Sequence, residues 1–217
     1  MQSPLTTSAR GLELIRSFEK FEPKAYLCPA GKLTIGYGHV IKASEPHLRS
    51  KTLTQGEAEA LLRDDCRTVE VYLSAVLPDW VRTHHFDALV SFCFNCGVKA
   101  FDGSTLRVKI KLGDRLGAQG EFHKWIFSKG RRLRGLAIRR ACEALMFAGC
   151  SDSTIETERR RLEALGRSRL QAHRLGSGLE GGVAVEDVEH RVARGWRRQG
   201  RAGEEDAVGP PGRLRRH

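Results

Sequence analysis

The sequence predicts an α+β, mostly helical fold: a small hairpin or sheet lobe and a helical lobe, joined by one long helix, with a cleft between them. Three observations carry this. Apolar residues recur at helical spacing through most of the first 150 residues. A single β-rich stretch, residues 25–41, is punctuated by Pro29, Gly31, Gly36 and Gly38. Between the two patterns, Thr54-Gln-Gly-Glu57 opens a run long enough to link separate lobes.

In chain order, Leu12, Ile15 and Phe18 repeat at i, i+3, i+6 behind the capping candidates Thr6–Ser8, predicting a short helix that ends near Phe18–Glu22, with Pro23 helping to stop it. Residues 25–41, rich in Tyr, Leu, Thr, Ile and Val, read as a hairpin or a three-stranded sheet. Gly36 and Gly38 mark tight approach or positive φ. From Ala58 to Leu77 the apolar set Ala58, Leu61, Leu62, Cys66, Val69, Leu73 and Val76 predicts a helix of about 20 residues, some 30 Å long. After Pro78, helices are expected at 83–96, 104–112, 114–127 and 134–148. The expected first domain is residues 1–150, with about 10–55 forming the sheet-bearing lobe and 56–150 the linking helix and helical lobe.

Residues 151–217 differ in character. They hold 14 Arg and no Lys, with Gly-Ser-Gly and Gly-Gly at 176–182 and Pro210-Pro211. The expectation is an Arg/Gly-rich tail, helical up to about Leu175 with Ile155, Leu162 and Leu165 on one face, and flexible beyond.

The 217 residues have 40% hydrophobic and 29% charged side chains, enough for one buried core, which excludes a wholly disordered chain. The net charge of +11 favours polyanions in general. No apolar run reaches the roughly 18–20 residues of a membrane span, and the N-terminus lacks the apolar core of a secretory signal. Six cysteines are too sparse for a disulfide scaffold, and Cys93-Phe-Asn-Cys96 without partner ligands reads as two small apolar residues on a buried helix rather than a metal or redox site.

Glu19 ends the first helix, flanked by Phe18 and Phe21. A carboxyl held against apolar rings in a closed groove is disfavoured as an anion, which suits a general acid. The returning hairpin brings Cys28, nine residues on, and Thr34, six further, toward the same groove.

The segment Phe18-Glu-Lys-Phe-Glu-Pro-Lys-Ala-Tyr-Leu-Cys-Pro-Ala-Gly-Lys-Leu-Thr-Ile-Gly-Tyr-Gly-His39 resembles the catalytic segment of the phage-type lysozymes, glycoside hydrolase family 24, whose pattern is Glu, eight residues, Asp or Cys, five residues, Thr. Ala88 to Gly97, Ser104-Thr-Leu106, Glu121-Phe-His-Lys-Trp125 and Gly135 to Arg140 resemble the family's helical lobe in the same order, so the likeness covers about residues 8–149. It implies a lysozyme-like fold and hydrolysis of the β-1,4 bond between N-acetylmuramic acid and N-acetylglucosamine in peptidoglycan. Glu19 then matches the general acid and Thr34 the residue holding the attacking water. Cys28 stands where the best-known members have Asp. A neutral thiol, with an ordinary pKa of about 8.5, offers little charge to a cationic transition state, so either a Cys28 thiolate or Glu22 must supply it. Phe94, Asn95, Thr105, Gln119 and His39 match substrate-contact positions, His39 also suiting a buried structural pairing. One arginine of Arg139-Arg140 is expected to pair with Glu19, and Arg131, Arg132 and Arg134 to face acidic peptide stems.

The resemblance further implies an endolysin that collects in the host cytoplasm, depends on a holin-type membrane protein, and then meets glycan strands in the periplasm or cell wall. A monomer is expected, without metal or organic cofactor, nucleic-acid partner or stable membrane insertion. The rival readings are a lytic transglycosylase on the same polymer and a non-catalytic basic polyanion-binding protein. A zinc amidase is disfavoured because His39, His84, His85 and His123 make no ligand spacing.

Overall fold

The computed structural model describes residues 5–28 and 31–174, with side chains through Leu165. The chain divides into two compact units, residues 1–165 and 166–217. The first contains the elements below up to residue 165 of the last helix; the expected tail beyond residue 174 lies outside the described residues.

Helix α1 (Ala9–Arg16) starts at Ser8, whose hydroxyl accepts from the Gly11 amide at 3.3 Å. It is two residues shorter than its apolar repeat predicts, because Phe18 and Glu19 already leave the helix in a turn whose N–H groups donate to Ile15 O. α1 also does not belong with the sheet, as expected, but with the helices. Thr7 N donates to Glu70, Ser8 N donates to Asp87, and a Cβ on Gly11 would stand 2.6 Å from Asp87 Oδ1. Only glycine permits that approach.

Strands β1 (Glu22–Leu27), β2 (Leu33–Gly36) and β3 (His39–Val40) form an antiparallel sheet in sequence order. Tyr26 pairs with Thr34 and Thr34 with Val40, so all three side chains share one face of the pleat, while Ile35 points the other way into the core. A bulge between Glu22 and Tyr26 shifts the register. Gly36 has φ +66°, and its Cα side lies against Ala58 and Leu53, which seats the sheet on the start of the long helix.

That helix, α2 (Gln55–Val76), begins with the capping box read in the sequence: Thr54 Oγ1 accepts from Glu57 N at 3.3 Å and Glu57 accepts from Thr54 N at 2.8 Å. Then come α3 (Thr83–Cys96), α4 (Val98–Asp102), α5 (Thr105–Lys111), α6 (Arg115–Glu121), a 3₁₀ turn at Phe122–Lys124, the hairpin β4 (Phe127–Ser128) and β5 (Arg131–Arg132), α7 (Arg134–Phe147) and α8 (Asp152–Arg174). Two of these were not expected. α4 is bracketed by Gly97 and Gly103 and too short to show a period. The helix expected at 114–127 ends at Glu121 and passes through the 3₁₀ turn into the hairpin, where Lys129 and Gly130 both have positive φ, +49° and +72°, and close a two-residue turn.

The core is centred on α3. Phe92 is fully buried and meets Phe122 at 5.5 Å and Trp125 at 5.2 Å, both nearly edge-on, with Phe86, Phe101 and Phe147 also buried. Ile155 of α8 is buried, whereas Leu165 is 46% exposed. Among the described residues no helix is long and apolar enough to cross a membrane.

Phe122→Ala should lower unfolding stability by about 3–5 kcal/mol, because the fully buried ring leaves a cavity among other rings. Urea denaturation should show a lower midpoint with an unchanged slope.

Candidate active site

Glu19 stands where the sheet meets α7. Its Oε1 accepts from Arg139 Nη1 at 2.6 Å, and a Cβ on Gly38, at φ +90° in the β2–β3 turn, would lie 3.8 Å from its Oε2. The Glu19 side chain keeps 24% exposure while that of Arg139 keeps 4%, so solvent or a ligand reaches the acid but not the base holding it.

The rings expected to enclose Glu19 do other work. Phe18 lies under the Arg139 guanidinium, 5.5 Å from ring centroid to Cζ, and Phe21 stacks on Tyr37 at 5.5 Å. Arg139 rather than an apolar cage therefore fixes the carboxyl.

Arg139 is itself fixed from behind. Its Nε donates to Glu143 Oε1 at 3.2 Å and its Nη2 to Ser91 O at 3.3 Å, while Ser91 Oγ donates to the same Glu143 oxygen at 2.7 Å. Glu143 also pairs with Arg140, 3.0 Å from Oε2 to Nε. Both residues are fully buried. Arg140 stacks on Phe92 at 4.8 Å and donates to Asn95 Oδ1 at 2.9 Å and to Cys96 Sγ at 3.1 Å. Two guanidinium groups thus share one buried carboxylate, with the catalytic candidate as the second anion.

On the sheet side, Tyr26 lies opposite Thr34. Burial pushes its phenol above the usual value, and Cys28, Glu22 and Glu19 each push the same way through their negative charge. Cys28 follows Tyr26 by two residues, with its N–H donating to Lys32 O at 2.9 Å, so it continues the same strand face. Thr34, opposite Tyr26, is 3% exposed, and its hydroxyl donates to Lys32 O at 3.0 Å. Thr34 thus lies across from Tyr26, Cys28 follows Tyr26 by two residues, and Glu19 borders the sheet at Gly38. Glu22 starts β1 and is ion-paired with Lys20.

The remaining candidates separate. His39 is 3% exposed and held on both sides, Nδ1 2.9 Å from Asp65 and Nε2 3.0 Å from Glu45. Both ring nitrogens are occupied, so the expected sugar contact gives way to a structural clamp between β3 and α2. The Asp65 bond, opposed by burial and aided by Glu45, raises the His39 pKa, and the bonds from Lys42 N and His39 lower that of Glu45. Asn95 is exposed with its oxygen on Arg140, Phe94 beside it is half-buried, Thr105 is exposed at the start of α5, and Gln119 is buried on α6. Cys96, expected as an apolar filler, is instead a polar contact of Arg140.

Tyr26, Glu143 and Cys96 were missed in the sequence. Period two across Tyr26 and Cys28 could have found the first, and the i, i+3 and i, i+4 spacing of Glu143 to Arg140 and Arg139 the second. All six cysteines are thiols, and among the described residues no cluster of His, Cys, Asp and Glu is arranged to hold a metal.

Together with the comparisons that follow, a small antiparallel sheet set against helices and presenting one carboxylate on a guanidinium gives the class: a glycosidase of the lysozyme type. The phage lysozyme family model matches residues 16–143, more than half of the chain, and the chain belongs to that family. It is 40% identical over 144 residues to an endolysin of Acyrthosiphon pisum secondary endosymbiont phage 1, covering 64% of this chain and 96% of that protein. It is 39% identical to an endolysin of Bacillus phage PZA, covering 64% of this chain but only 54% of that relative. Among solved structures, the muramidase domain of SpmX from Asticaccaulis excentricus superposes with a TM-score of 0.60 at 34% identity, covering 66% of this chain and 97% of that one.

Two outcomes follow from the pairings. Glu143→Ala should destabilise the fold by about 3–5 kcal/mol, since it leaves two buried guanidinium groups short of a counter-charge; thermal unfolding will measure it. His39→Asn should be less stable than the parent between about pH 4.5 and pH 6.5, where the clamp contributes in full. That deficit should shrink as pH rises through the raised His39 value and as it falls through the lowered Glu45 value, which a urea series across pH will follow.

Proposed function

We propose that the chain is an endolysin-type peptidoglycan hydrolase, an N-acetylmuramidase that cleaves the β-1,4 bond between N-acetylmuramic acid and N-acetylglucosamine at the end of phage infection. The observation that carries the reading is Glu19, partly open to ligand, locked through one oxygen to a buried arginine and bordered by Gly38 in the turn after Thr34's strand. The endolysin relatives and the muramidase-domain neighbour support it.

In this reading Arg139 keeps Oε1, and Oε2 carries the proton. As the glycosidic bond breaks, that proton passes to the departing sugar oxygen, and positive charge builds on the ring left behind. The negative field on that face comes from Cys28, with Glu22 as the alternative source. Thr34 holds the water whose oxygen completes the new reducing end, and that water's second proton passes to the same anionic group, the Cys28 thiolate or Glu22. The Thr34 hydroxyl already donates to Lys32 O, so it receives the water's hydrogen bond through its lone pairs and sets the direction of attack. Tyr26 lines the same face.

The cellular reading is a monomer held in the host cytoplasm until a holin-type membrane protein opens the inner membrane, after which it reaches glycan strands in the periplasm or wall. Phe94 and Asn95 bind sugar at the helical side. Asn95 offers its amide N–H groups, since its oxygen is engaged.

Glu19→Gln should abolish release of reducing ends from purified peptidoglycan with the melting temperature retained, while Cys28→Asp keeps substantial activity. Parental turnover in the Gln variant would remove Glu19 from the acid role. New 1,6-anhydro ends, read by mass spectrometry, would instead support a lytic transglycosylase.

A further inference from the structure

The acid role asks Glu19 to carry a proton, yet the bond that fixes its carboxyl asks for the opposite. A guanidinium beside a carboxyl favours the carboxylate over the acid. Arg139 Nη1 lies 2.6 Å from Glu19 Oε1, and the arginine side chain is buried, so water does little to weaken its field. An arginine with no second anion would hold Glu19 ionised.

The groups around the pair show what offsets that cation. From β1, Tyr26 has a phenol pushed above its usual value chiefly by burial, so it is neutral; Glu22 is ion-paired with Lys20, and Cys28 and Glu22 are the anion sources on the sugar side. The β2–β3 turn brings Gly38, which has no charge, and then His39, held between Asp65 and Glu45. From α3, Ser91 offers a carbonyl and a hydroxyl. Among the described residues, the anion that meets Arg139 besides Glu19 is Glu143, whose Oε1 accepts from Arg139 Nε at 3.2 Å. The Cys93, Cys96 and Cys142 thiols that face Glu143 are all pushed up by burial and so add no charge. Arg140 draws on the same carboxylate, with Nε 3.0 Å from Oε2 and Nη2 3.2 Å from Oε1. Two cations thus stand against one anion behind Glu19, and Glu19 feels the difference.

We propose that Glu143 is a positioning residue for the proton of Glu19: by neutralising part of the Arg139 charge from behind, it lets Glu19 stay bonded to an arginine and still act as an acid. Arg140 works in the opposite direction, because it takes up part of Glu143's charge. The inference rests on the muramidase reading and deepens it. It separates two tasks in one cluster: Ser91 and the guanidinium geometry set where the carboxyl points, and the charge of Glu143 sets whether it keeps its proton.

The test uses the full chain with 13C-labelled glutamate carboxyl groups, the Glu19 signal being assigned by its loss in Glu19→Gln. In Glu143→Gln the titration midpoint of that signal should fall by about one pH unit, the size expected for unit charges separated by one guanidinium at a partly exposed site. In Arg140→Met it should rise. Glu143→Asp, which keeps the charge while changing the contacts, should stay close to the parental midpoint. At a pH above the midpoint, reducing ends released per folded Glu143→Gln molecule should drop about tenfold with KM unchanged, following the loss of protonated acid. An unmoved midpoint in Glu143→Gln, an equal fall in Glu143→Asp, or a fall in Arg140→Met overturns the proposal. The expected shifts have opposite signs and each is read from the folded signal, so one variant decides even where the other does not fold. Midpoints that move as expected in a chain that releases no reducing ends overturn the muramidase reading and leave the charge offset standing.

Discussion

The position of Glu19 depends on a buried charge arrangement on α7, Arg139 and Arg140 around Glu143. A guanidinium has a planar fork of donors, and Arg139 spends them on three partners at once: Glu19, Glu143 and the Ser91 carbonyl. Such a group cannot swing without breaking several bonds in a place where water does not replace them. The carboxyl in front inherits that rigidity. This is how a catalytic candidate at the end of a short helix, followed by a turn and a strand, keeps a defined direction although it is itself partly open to solvent.

The sheet contributes the complementary half. Its register places Thr34 between Tyr26 and Val40 on one face and Ile35 on the other, so a single strand both anchors the sheet in the core and presents a hydroxyl. The bulge after Glu22 separates that residue from the regular pairing of Tyr26. Gly38 then lets the chain turn closely past the carboxyl, and His39, one residue on, is clamped to Asp65 and Glu45, so the turn that borders Glu19 is held by an ion-paired side chain.

Much of this was legible in the amino-acid order. The capping box at Thr54, the three-stranded sheet and the long helix follow from local rules that tertiary packing does not oppose. The pairing of Glu19 with an arginine of α7 was also anticipated. What escaped has physical reasons. The β4–β5 hairpin depends on a non-glycine residue at positive φ, which pattern alone does not reveal. The clamp on His39 takes its partners from 6 and 26 residues away, and nothing in the histidine's neighbours announces both. Phe18 and Phe21 look like walls for Glu19 because they adjoin it in sequence, yet leaving the helix rotates them toward Arg139 and Tyr37.

Arg139 and Arg140 are consecutive, yet one reaches the seam and the other the interior, because adjacent residues on an α-helix point about 100° apart. The division of labour between two chemically identical side chains is thus angular. A single-residue deletion between the first turn of α7 and Arg139 would bring Arg140 round to the seam and leave Phe92 facing a different side chain. The length of this segment, more than its composition, therefore decides which guanidinium meets Glu19.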